Sequence, residues 1–132
     1  MTDLPELYFR IRDNGAAVFR INAENRERRI EMNQIAVVNT NRGDFKAQGD
    51  TVLSPAEETV IAEWMEARLA VLAARDMDDI HRVIDQLNLT AQWAQSKACD
   101  NQLAAVTDDL LMAMHDLRSV LVRKKTDRLS KS

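Results

Sequence analysis

A chain of 132 residues, 45% hydrophobic and 30% charged, holds enough apolar material for one folded domain without disulfide or metal, which excludes a disordered segment. Its single cysteine, Cys99, excludes an internal disulfide, and no run approaches the ~18 apolar residues of a membrane span. With one thiol and an amino terminus lacking the basic and apolar regions of an export signal, a cytoplasmic protein is the expectation.

The net charge of −3 conceals three unequal parts. Residues 1–50 carry eight basic and eight acidic side chains, residues 51–117 four basic against twelve acidic, and residues 118–132 six basic against one acidic. An acidic body with a basic tail argues against a duplex-DNA binder. Every glycine (Gly15, Gly43, Gly49) and both prolines (Pro5, Pro55) fall in the first 55 residues. Turn-rich β structure is therefore expected first and long helices after it.

Leu7, Phe9 and Ile11 alternate with Tyr8, Arg10 and Arg12, and Ala17, Phe19 and Ile21 alternate with Val18 and Arg20, as in two half-buried strands. A two-residue Asn14-Gly15 turn would set Phe9 against Arg20. A three-residue loop with Gly15 in a left-handed bulge position instead pairs Leu7 with Ile21, Phe9 with Phe19 and Ile11 with Ala17, and is the register expected. A second hairpin turns at Asn41-Arg42-Gly43, setting Val37 opposite Ala47 and Asn39 opposite Phe45. Its first strand starts near Arg29, and apolar parity switches from Ile30 and Met32 to Ile35 and Val37, so a bulge is expected near Asn33-Gln34. Residues 22–28 form a polar connection, and residues 1–50 as a whole form a four-stranded antiparallel meander with one apolar face.

Ser54 as N-cap, Pro55 at the first helical position and Glu57 three residues after the cap start a helix over 54–75, striped by Val60, Ile61, Trp64, Ala67, Val71 and Leu72. Asp76, Asp78 and Asp79 are read as the cap of a second helix over 76–98, although no Gly or Pro enforces a break there. That second helix carries Ile80, Val83, Ile84, Leu87, Ala91 and Ala94 on one side, with Leu89 and Trp93 off the stripe. A third helix over 100–125 has a heptad seam of Leu103, Val106, Leu110, Ala113, Leu117 and Val120, widened by Leu111, Met114 and Leu121. Residues 126–132 are read as a frayed basic tail. The fold class expected is α+β: one domain over 1–132, with the meander followed by a three-helix antiparallel bundle packed on the sheet.

Chemistry is sparse. His81 with Asp85 and His115 with Asp116 could be imagined as an interhelical metal site, but no HExxH or ExxH spacing supports one. Cys99 precedes a helix start without a local base, as a structural thiol does. No phosphate loop, dinucleotide fingerprint, nucleophile elbow or paired-cysteine motif is present, so neither enzyme activity nor a cofactor is expected.

Two functions follow from what remains. The first is a non-enzymatic interaction or regulatory module, self-associating or binding a protein partner through Leu89, Trp93, Leu103, Val106, Leu110 and Leu117. The second is a nucleic-acid-associated protein whose phosphate contacts are Arg10, Arg12, Arg20, Arg26, Arg28, Arg29, Arg123, Lys124 and Lys125. Asp13, Glu24, Glu27 and Glu31 interleave with those arginines, which favours a solvated sheet face instead, and cations at a helix C-terminus also serve its dipole.

Overall fold

A computed structural model describes residues 6–22 and 31–131. The strands are β1 Leu7–Arg12, β2 Gly15–Asn22, β3 Glu31–Asn39 and β4 Asp44–Ala47, followed by helices α1 Pro55–Ser96 and α2 Asp100–Ser130. All strand pairs are antiparallel, in the order β1-β2-β3-β4, so the meander is as expected. The chain divides into two compact units, with the boundary inside α1 between Asp79 and Ile80.

The expected three-helix bundle is not there: two helices follow the sheet. Residues 54–75 and 76–98, read as separate helices, form the single helix α1. An aspartate costs only about 0.7 kcal/mol relative to alanine inside a helix, whereas a break forfeits several backbone hydrogen bonds and needs a residue that leaves the helical region. Asp76, Asp78 and Asp79 supply charge and no such backbone, so the helix runs through them. The third helix, expected over 100–125 with a frayed tail at 126–132, corresponds to α2, which runs on to Ser130. Residues 126–130 stay helical, because arginine and lysine are good helix formers and complement the terminal carbonyls.

Both hairpins are displaced by one residue from the expected register. In the first, Phe9 faces Val18, Tyr8 faces Phe19 and Arg12 faces Gly15 across a two-residue Asp13-Asn14 turn. Gly15 opens β2 at φ 154°, and a Cβ there would collide with the backbone carbonyl of Val38. Only glycine permits that close approach. In the second hairpin Val37 faces Lys46, Val38 faces Phe45 and Asn39 faces Asp44, although Gly43 does take the left-handed position at φ 76°.

A slip of one residue transfers every side chain to the other face. The face of β2 toward α1 thus carries Ala16 and Val18, with Arg20 beyond them, while Ala17 and Phe19 are buried on the other face. A bulge does fall beside Asn33-Gln34, at Ile35, which is left over where Val18 pairs with Ala36 and Phe19 with Gln34, but the expected parity does not hold, since Met32 is exposed. Ile35 enters the core beside Ala36 and Val38, while Val37 stays exposed.

The amino-terminal unit has one core: Ala16, Val18, Ile35, Ala36 and Val38 from the sheet against Ile61 of α1. Two alanines in the layer let the helix approach closely, so Ile61 is fully buried. Phe9 and Trp64 stack at 4.5 Å with their planes 7° apart and extend that layer. Phe19 is buried on the opposite face, its ring 6.3 Å from that of Tyr8 and 4.5 Å below the Arg10 guanidinium.

Candidate functional site

The start of α1 is built from a reciprocal cap. The Glu57 backbone N–H donates to the Ser54 hydroxyl at 3.1 Å, and the Ser54 N–H donates to Oε1 of Glu57 at 2.9 Å. Arg20 completes the cluster by donating from Nε to Oε2 at 2.8 Å and from a terminal nitrogen to Oε1 at 2.9 Å. Those bonds hold the Glu57 carboxyl below the usual glutamate range against the opposing effect of its burial, with the Ser54 bonds adding to them. Arg20 is correspondingly raised by its bonds to Glu57. Arg20 therefore belongs to the joint between sheet and helix and does not share the outer face with Arg10 and Arg12.

Of the other residues expected to contact phosphate, Arg10 and Arg12 share the outer face of the sheet with Tyr8, and Lys46 joins them through its pairing with Val37. Arg123, Lys124 and Lys125 lie exposed on α2 in the second unit. Arg26, Arg28 and Arg29 lie outside the described residues.

The carboxyl-terminal unit presents the opposite of a core. It joins residues 80–96 of α1 to α2 through a short connection at residues 97–99, in which Lys97 and Ala98 both donate to the Trp93 carbonyl at 2.9 Å. The Gln102 side chain then accepts from the Cys99 backbone N–H at 3.0 Å to start α2. No residue of α2 is buried, and α1 buries only Glu57 and Ile61, both in the first unit.

Most of the apolar side chains of this unit are consequently open. Leu103 and Val106 are half-buried, but along the rest of the seam Leu110, Leu117 and Val120 are exposed, as is Leu121 beside it. Leu89 stands 57% exposed, and Ile80, Val83, Ile84 and Leu87 are uncovered as well. Trp93 borders two hollows between the helices. One, of about 750 Å³, is flanked by Leu89, Val106 and Leu110, and the other, of about 270 Å³, by Leu87, Leu103 and Met114.

Thr90 and Thr107 line the smaller hollow, yet each hydroxyl donates to a carbonyl of its own helix, to Gln86 at 2.7 Å and to Leu103 at 2.6 Å. Their hydroxyl hydrogens are therefore engaged within their own helices, which leaves the hollow few free donors. The sequence-derived surface residues Leu89, Trp93, Val106 and Leu110 are thus brought together, with Leu103 across the smaller hollow and Leu117 further along the same helix.

Among the described residues no group of three or more His, Cys, Asp or Glu could hold a metal ion, and no helix is long and apolar enough to cross a membrane. Cys99 is a free, exposed thiol. No family model, no curated protein and no solved structure matches this chain.

Proposed function

We propose that the protein is a non-enzymatic interaction module in which the sheet and the start of α1 form a folded base and the carboxyl-terminal helices offer apolar faces to another protein chain. The observation that carries this reading is that α2 buries none of its residues. Tertiary packing normally supplies most helical stability, and an amphipathic helix with an empty apolar face lacks it. Contiguous apolar surface on this scale marks a protein contact.

Light scattering on the full chain, with a pull-down from the native host, tests the reading. A second copy or a defined stoichiometric partner is expected. A strict monomer that forms no stable complex contradicts it.

A second reading, nucleic-acid contact, draws on the outer sheet face, where Tyr8, Arg10, Arg12 and Lys46 combine an aromatic ring with basic groups. Binding to single-stranded RNA or DNA that weakens steeply with salt would support it. Absence of binding at low ionic strength would remove it.

A further inference from the structure

The chain itself offers an occupant for the open seam. We infer that α2 pairs antiparallel with α2 of a second copy of this chain. The inference rests on the interaction-module reading and adds to it the partner and its orientation.

Three observations carry it. The first is area. The large apolar side chains exposed on α2, at roughly 70 Å² each, amount to on the order of 600 Å² per copy, and those at residues 80–89 of α1 add to them, against about 800 Å² per partner in a specific interface of standard size. A second copy is sufficient to cover the seam without any foreign chain.

The second is charge. Between residues 100 and 116, α2 carries Asp100, Asp108, Asp109 and Asp116 with no lysine or arginine. Beyond them come Arg118, Arg123, Lys124, Lys125, Arg128 and Lys131 against Asp127 alone. Parallel pairing lays acid on acid and base on base, whereas antiparallel pairing lays each acidic half along the partner's basic half. Helix dipoles oppose in the same arrangement.

The third is spacing. About a centre between Leu111 and Met112, Leu103 meets the partner's Val120, Val106 meets the partner's Leu117 and Leu110 meets the partner's Ala113, so each seam layer is apolar. One flank contact is unfavourable in that register: Asp109 comes beside the partner's Asp116, twice by symmetry. That contact gives the pairing a distinctive response to mutation.

Cys99 supplies a reporter for the orientation. It is the only cysteine, it is exposed, and it sits at one end of α2. In a parallel pair the two Cys99 thiols meet. In the antiparallel pair they lie apart along the axis by roughly 37 Å, and Cys99 instead falls level with position 124 of the partner.

The experiment measures the mass of the full chain by sedimentation equilibrium and its cross-linking under mild oxidation, for the natural chain and for Lys124→Cys. A dimer is expected whose natural form stays unlinked while Lys124→Cys becomes disulfide-linked between chains. Asp109→Lys, which turns the one repulsive contact into an attractive one, is expected to tighten the dimer about tenfold.

A natural chain that cross-links readily through Cys99, or a Lys124→Cys dimer that does not link, overturns the antiparallel pairing. A monomer that still forms a defined complex with another protein overturns self-pairing and leaves the interaction-module reading standing. A monomer with no partner overturns both.

Discussion

Arg20 on β2 and Glu57 on α1 are joined by two parallel N–H···O bonds, and this pair fastens the helix to the sheet. Glu57 is 5% exposed, so its charge depends on that partner and on the Ser54 N–H. Arg20→Ala is expected to lower the unfolding free energy by about 2 kcal/mol, more than the 0–1 kcal/mol of a solvent-exposed pair, because a buried carboxylate is left under-satisfied. Urea denaturation followed by circular dichroism measures it.

The same pair sets an acid limb. The folded value of Glu57 lies below its unfolded value, so its contribution is complete above the ordinary glutamate range and is lost as pH falls through that range toward the lowered folded value. Glu57→Gln should flatten the decline in stability below about pH 4.5 relative to the natural chain. An unchanged acid limb would show that the ion pair carries no linkage.

Gly15→Ala should cost more than 2 kcal/mol, because the new methyl group meets the Val38 carbonyl and φ 154° is hostile to an L side chain. Gly43→Ala meets no neighbouring atom within 4 Å and carries only the left-handed backbone cost, on the order of 1 kcal/mol. Thermal melts of the two variants should rank in that order.

The two tryptophans report separately. Trp64 is stacked on Phe9, and Trp64→Phe keeps an aromatic partner there while leaving Trp93 as the sole tryptophan. Its fluorescence is expected to move to longer wavelength on dilution as the covering chain leaves Trp93. A spectrum independent of concentration, in a sample whose mass also does not change, argues that nothing covers this face.

Leu110→Asp with Leu117→Asp should abolish association while leaving β1–β4 intact, because both positions lie outside the core around Val18 and Ile61. Analytical gel filtration reads the first effect and the β signal in circular dichroism the second.

What could be read from the sequence was what local chemistry decides alone. Ser54, Pro55 and Glu57 announced the start of α1, and the meander followed from alternation and the glycines. The first hairpin departs from the expected register because Phe9 and Phe19, two apolar residues that invite pairing, pack on opposite faces of the sheet, Phe9 partly buried against Trp64 and Phe19 buried beside Tyr8. Both faces of β2 are covered at Ala16–Phe19 positions, so alternation carries no information there. Alternation likewise hides the inward side of Arg20, whose sequence signal is Glu57, an N3 residue with carboxylate capacity left to satisfy beyond the Ser54 N–H. The heptad pattern of α2 carries no information about what covers it, and the third helix expected to share that work is absent. Three helices were expected to share their faces, but a continuous α1 leaves only two.

The most direct test of the account is hydrogen exchange on the full chain at low and high concentration. The account predicts amides of β1–β4 protected at both, and amides of α2 protected only where another chain covers them, rising together with molecular mass. Strong protection of α2, equal to that of the sheet, in a chain that stays monomeric throughout would contradict it.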